Sequence, residues 1–267
     1  GVQKQLESNN TGAETTETTG LTAFNSNGFT VGALAQVNTN TATYVGWQWK
    51  ESATAGFDIV TYTGTGATQT INHSLGVAPK MMIIKSRSNG TYGWTVYHES
   101  IGNTKYLALN LTDAAATLST IWNNTSPTST NFTVGNNVWV SSNTNNYIAY
   151  LFAEIAGFSK FGSYTGNGST DGPFVFTNMK PRYVLIKRTD SATNWYIFDT
   201  ARDTYNVMKD ELLTNAANAE ADNSRWIDCL SNGFKIRNDN VGQINANGGT
   251  YIYASFAENP FKYSLAR

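Results

Sequence analysis

The chain reads as all-β, a tandem array of antiparallel β-sandwich modules of about 100 residues with jelly-roll or lectin-like character. Three observations lead there: the balance of residue types, strand-length apolar runs punctuated by turn residues, and an internal repeat. Aromatic residues make up 13% and charged residues 14% of the 267 positions, where average globular chains carry about a quarter charged residues. Thr, Asn, Ser and Gly fill the difference. Aromatic and β-branched side chains suit a pleated, half-buried surface, and Asn and Gly suit the turns between strands.

The repeat shows in five landmarks that recur in one order. Tyr62 opens YTGTG and Tyr164 opens YTGNG, 102 residues later. Pro79 begins PKMMIIK and Pro181 begins PRYVLIK, again 102 apart. Trp94 (WTVY) and Trp195 (WYIF) are 101 apart, and Phe132 (NFTVGN) and Phe234 (GFKIRN) 102 apart. YIAYLFAE from Tyr147 returns as YIYASFAE from Tyr251. Upstream, NGFTVG around Phe29 matches the Phe132 segment, and YVGWQWKE from Tyr44 matches the strand from Tyr147. LESNNTGAE from Leu6 resembles LLTNAANAE from Leu212. Such a fixed period marks a chain of like units. The expected division is therefore 1–56 as the C-terminal half of a truncated first module, 57–157 as a second module and 158–267 as a third. The missing first half is expected to lie upstream.

Within the second module, runs bounded by Gly, Asn and Pro predict strands at 57–62, 68–73, 80–86, 93–98, 104–110, 131–134 and 146–154. The continuous runs MMIIK and YVLIK predict central strands covered on both faces. The glycines of YTGTG and YTGNG are suited to a tight turn needing positive φ. Thr200 to Glu220 carries enough Ala, Leu, Lys and Asp to predict a short helix. In the last strand, alternation separates two faces. Val45, Trp47 and Trp49 share one with Ile148, Tyr150 and Phe152 and with Ile252, Ala254 and Phe256. That face is expected to be the core. The other, with Tyr147, Ala149, Leu151 and Ala153, is expected to meet a neighbouring module or chain. The connectors SATAGF and IAGFSKF are too short for free tumbling, so the modules are expected to stack rigidly.

Formal net charge is −1 with no basic stripe, which argues against nucleic acid. No apolar window reaches the roughly 18 residues of a membrane span, and GVQKQLESNN lacks a signal-peptide layout. Cys229 is the one cysteine, so no intramolecular disulfide forms, and it reads as a small buried hydrophobe.

The candidates for chemistry are few. His73 and His98 read as turn and strand-end hydrogen-bonders, because no convergent ligands or nucleophile partners accompany them. Glu51, Glu154 and Glu258 recur after the last strand and Lys85 and Lys187 after the central one. Repetition in every copy makes them architectural, as Lys–Glu pairs or turn acceptors, in preference to a hydrolytic carboxylate pair. Asp190, Asp199 and Asp203 stand as an alternative calcium cluster. No cofactor motif is present, and no catalytic residue is assigned. Sugars dock on flat aromatic faces, and Tyr92, Trp122, Trp139, Trp195 and Trp226 are the candidate platforms. Trp122 and Trp139 have no counterpart in the aligned copy, which favours them as specialised surface.

The strings FDIVTYTGTG, INHSLGVAPKMMIIK, FSKFGSYTGNGSTDGPFVF, FDTARDTYNV, LSNGFKIR and GGTYIYASFAENPFKY resemble a repeat family of tailed-bacteriophage structural proteins. Members are frequent in phages of marine bacteria and cyanobacteria and are described as tail fibre or tail proteins. The resemblance covers essentially the whole chain, and the final FAENPFKYSLAR is similar to the C-terminal end of such proteins. It implies a β-sandwich, a place in the virion among other virion proteins, and homo-oligomers, often trimers. It implies no catalytic residues. The resulting expectation is a distal tail fibre or spike segment that recognises host-surface glycans. Alternatives are a capsid decoration, neck or baseplate protein, and a polysaccharide depolymerase.

Overall fold

In a computed structural model, residues 1–238 and 242–259 are described. The segment 260–267, which resembles a virion-protein ending, lies outside the described residues. Strands occupy 40% of the chain and helices 6%, and all named pairings are antiparallel. The fold is an all-β sandwich architecture.

The N-terminal part holds β1 (Lys4–Gln5) paired with β2 (Thr15–Thr16), the hairpin β3 (Leu21–Asn25) and β4 (Gly28–Val31), and the one-turn α1 (Ala35–Asn38). The next part begins with β5 (Phe57–Thr63), β6 (Gln69–Asn72), β7 (Met81–Ser86), β8 (Thr95–His98) and β9 (Lys105–Ala108). It continues with β10 (Ala116–Thr117), α2 (Ser119–Trp122), β11 (Asn131–Val134), α3 (Val138–Ser141) and β12 (Asn146–Phe152). The last part carries β13 (Ser159–Thr165), β14 (Phe174–Phe176), β15 (Pro181–Arg188) and β16 (Trp195–Asp199). It ends with β17 (Met208–Leu213), β18 (Ala221–Leu230), β19 (Gly233–Ile236) and β20 (Thr250–Ala257).

Strand order repeats. The sheet β10-β9-β8-β7-β12-β5 is matched by β18-β17-β16-β15-β20-β13, and the pair β11-β6 by β19-β14. The apolar runs MMIIK and YVLIK occupy β7 and β15, each flanked by strands on both sides, as continuous hydrophobicity requires. The predicted helix over Thr200–Glu220 is instead turns and the strand β17, because its apolar residues pair into the sheet beside β16. Tertiary pairing overrides helix propensity there. The ten-residue β18 pairs with β17 at its start and β19 at its end, so the last sheet folds over itself. In the middle part α2 replaces the second half of that strand, and the sheet separates into two.

Each complete part encloses its own core between sheet and cover. Met82, Ile84, Trp122, Phe132 and Tyr147 fill one, and Val184, Ile186, Trp226, Phe234 and Tyr251 the other. A third core lies between the parts, where Met81, Trp94 and Leu107 meet Phe161, Leu185 and Trp195. Alternation in the last strands is correct, but the expected roles of the two faces are exchanged. Tyr147, Ala149, Leu151 and Ala153 face their own module's core, while Tyr150 and Phe152 pack in the shared one. Both faces are buried, so apolar character cannot rank them. The own-core face is small in places because Trp122 and Phe132 supply bulk from the opposite layer.

The shared core has a geometry of its own. Trp49, Phe152 and Phe256 hold equivalent places in the three repeats, and their ring centroids lie 6.2, 5.6 and 5.9 Å apart. Equivalent residues of the three segments thus meet one another in a near-equilateral triangle. Contacts between successive segments recur in the same way. Glu14 N–H donates to Arg87 O (2.8 Å) as Ala115 N–H donates to Thr189 O (2.9 Å). The Trp94 indole donates to Glu7 O (3.0 Å) as the Trp195 indole donates to Ala108 O (2.9 Å). Such head-to-tail contacts close a ring when the rotation is a third of a turn.

Candidate functional site

Three cavities gather beside residues 44–50. Burial alternates along this segment as in a strand, with Val45, Trp47 and Trp49 half-buried and Gly46, Gln48 and Lys50 exposed, yet it pairs with no strand among the described residues. Trp47 and Trp49 are held by Tyr183, at centroid distances of 5.5 and 5.6 Å. One cavity of about 720 Å³ runs from Val45 to Lys50 and on to Asp199 and Phe256. A second of about 490 Å³ is walled by Trp47, Met81, Tyr150 and Leu185. A third of about 590 Å³ lies between Lys4, Leu6, Trp94 and Trp47. Trp47 lines all three, and its buried indole N–H has no acceptor among the described residues.

The walls are mostly aromatic or aliphatic. Asp199, at the rim, accepts from Arg202 Nε (2.7 Å) and from the backbone N–H groups of Ala201 and Arg202. Burial pushes the Tyr183 phenol well up, so it stays neutral. The arrangement offers a mostly apolar and aromatic surface, with the one carboxylate at its rim, Asp199, held by Arg202. Sequence reasoning assigned Trp47 and Trp49 to an ordinary core. The available signal was that YVGWQWKE is not preceded by the Pro-Lys or Pro-Arg strand that precedes its two counterparts.

Of the candidate sugar platforms, Trp122, Trp195 and Trp226 are fully buried and present no face to a ligand. Trp122 does have a counterpart. It packs on Tyr97 at 5.7 Å, as Trp226 packs on Phe198 at 5.6 Å, so each fills its own module's core. Trp195 lies in the shared core. Tyr92 is half-buried, and so is Trp139, whose ring meets Tyr106 edge-on at 5.7 Å from α3. The structure does not bring Tyr92 and Trp139 into one pocket with the other three.

The repeated charges are placed separately. Lys85 and Lys187 are fully buried and cap carbonyls, Lys85 at Ser86 O (2.9 Å) and Lys187 at Arg188 O (2.8 Å) and Thr112 O (3.0 Å). Burial pushes both amines down to about 8. They do not pair with the repeated glutamates: Glu154 meets Lys160 (2.7 Å) and Glu258 meets Lys180 (2.6 Å), while Glu51 is exposed. Asp190 binds Arg188, Asp199 binds Arg202, and Asp203 accepts from Lys209 N–H, so the three aspartates do not converge. Among the described residues no group of three or more His, Cys, Asp or Glu is placed to hold a metal ion.

His98 is buried at the module junction, where Nε2 meets Tyr253 O (3.1 Å) and Nδ1 accepts from Ser100 N–H (3.2 Å). One donor and one acceptor suit the neutral ring, and burial holds its pKa down at about 4. His73 makes the same pair of contacts, with Thr128 O and Leu75 N–H. Burial pushes the Cys229 thiol up to about 12. No helix among the described residues is long and apolar enough to cross a membrane.

No curated protein and no solved structure matches the chain. The family model described as a domain of unknown function, DUF7483, matches residues 1–260, and the chain belongs to that family.

Proposed function

We propose that the chain is a non-catalytic structural segment of a bacteriophage particle, the distal part of a tail fibre or spike that presents surface to host-envelope glycans. The observation that best supports this reading is the shared aromatic core. It ties the repeats into one stiff body through Trp49, Phe152 and Phe256, as an appendage that bears load would need. The paired carboxylates and buried lysines suit architecture. Other virion proteins and further copies of the chain are the proposed partners, with neither nucleic acid nor membrane insertion involved. With three of the five platforms buried, glycan contact falls to the half-exposed Trp139 and Tyr92.

A glycan array with intact protein tests the reading. Binding to an envelope glycan should weaken at least about tenfold in Trp139→Ala. Absence of binding to any glycan or host cell would remove the receptor-binding role. Release of reducing ends from host polysaccharide would make the chain a depolymerase. A second reading, a capsid decoration, neck or baseplate protein, is favoured by Phe174 and Phe176, exposed at 44% and 55% on the edge strand β14. Immunogold label on the head or baseplate would select it.

A further inference from the structure

We infer that the open side of the N-terminal repeat is a docking site for three β-strands of this chain's own repeat pattern, a Tyr-Thr-Gly strand on one side of residues 44–50 and two on the other, presented by a segment outside residues 1–267. In the complete repeats the equivalent strand is always central: β12 lies between β5 and β7, and β20 between β13 and β15. Residues 44–50 have the same alternating burial and no strand paired on either side among the described residues. Sheet edges that display unpaired backbone beside apolar side chains are templates for strand addition.

The rest of the half-repeat is already built to receive them. β1 and β2 pair Lys4 with Thr16, as β9 and β10 pair Lys105 with Thr117. Tyr44 OH accepts from Thr39 N–H (2.9 Å) and donates to Ala35 O (3.0 Å). Tyr147 OH does the same with Ser142 N–H and Val138 O. In the complete repeats that tyrosine is covered by an incoming one. Tyr62 stacks on Tyr147 at 5.2 Å and donates to Val140 O, and Tyr164 stacks on Tyr251 at 4.9 Å and donates to Ile244 O. The guest therefore carries a Tyr-Thr-Gly strand whose tyrosine covers Tyr44 and reaches Val37 O. Its glycine is required, because a Cβ at Gly64 or Gly166 would lie 2.2 or 2.4 Å from a carbonyl oxygen of the host loop.

The other guest strands, counterparts of β7 and β8, belong between β1 and residues 44–50. The 590 Å³ cavity lies there, between Lys4 and Trp47. Gly1 lines the same cavity and corresponds to Gly102, in the turn just after β8, so a repeat segment added ahead of Gly1 would enter at the required place. A second copy is the poorer donor, since its β5 and β7 are already paired along β12.

Hydrogen exchange on the full chain tests this. Amides of 44–50 should exchange at least about 100-fold faster than those of 146–152. Joining a second copy of residues 57–101 directly ahead of Gly1 should slow 44–50 by a similar factor, and Gly64→Val in the added copy should cancel the gain. The inference is overturned if 44–50 stay fast in the extended chain while 146–152 remain protected. It is equally overturned if 44–50 of the unextended chain become protected as a dimer forms with rising concentration, which would make a second copy the occupant.

Discussion

Phe29, Phe132 and Phe234 occupy one position in three repeats, but Phe29 is 40% exposed and the other two are fully buried. Tyr44 is 51% exposed, against complete burial for Tyr147 and Tyr251. The half-repeat and the complete repeats share local sequence, turn geometry and capping contacts. They differ in whether a sheet lies underneath. Local pattern thus sets the hairpins and the tyrosine clasp, while burial is a property of the neighbour.

The largest expected contrast is energetic. Phe132→Ala or Phe234→Ala should cost about 3–5 kcal/mol, the loss of a buried ring plus its cavity, whereas Phe29→Ala should cost under about 1 kcal/mol. Urea midpoints at constant slope would read both. Equal losses at the three positions would break the comparison.

The junction between the complete repeats should make the protein acid-sensitive. The His98 pKa is about 4 in the fold against 6.5 ordinarily, so the unfolded chain takes up the proton first as pH falls. Stability should be full above pH 6.5 and decline towards pH 4, by up to about 3 kcal/mol. His98→Gln should flatten that window in a pH series of unfolding curves. Lys85 and Lys187 act at the other end. With amines near 8 in the fold against 10.5, their burial penalty is full below pH 8 and fades as pH rises towards 10.5.

A smaller effect separates the two indole contacts. Trp195→Phe keeps most of the ring but leaves Ala108 O in the shared core with only the longer bond from Leu111 N–H (3.3 Å), at about 1 kcal/mol. Trp94→Phe should cost less, since its acceptors Glu7 O and Asn10 O belong to the open N-terminal part. Thermal unfolding of the pair would rank them.

Much of this was legible in the sequence, and the gaps have physical causes. Strands β5 to β9, β11 and β12 fall within a few residues of their expected spans, because turn residues bound each run. The two-residue β10 and the one-turn α2 and α3 are too short to leave a period. The face assignment failed because a strand buried on both sides offers two apolar faces. Three of the five aromatic platforms failed similarly: Trp122 looked unpaired since its counterpart Trp226 sits on a strand where Trp122 ends a helical turn. Nothing local distinguishes Trp47 and Trp49 from their counterparts Tyr150, Phe152 and Phe256, which are half-buried as they are; only the missing partner strands do.

The central claim is that three equivalent aromatic residues meet one another in the shared core. Proton–proton contacts in the NMR spectrum of aromatic-labelled protein test it most directly. Rings of Trp49, Phe152 and Phe256 should show all three pairwise contacts. A contact between Phe152 and Phe256 alone, with Trp49 touching neither, would contradict it.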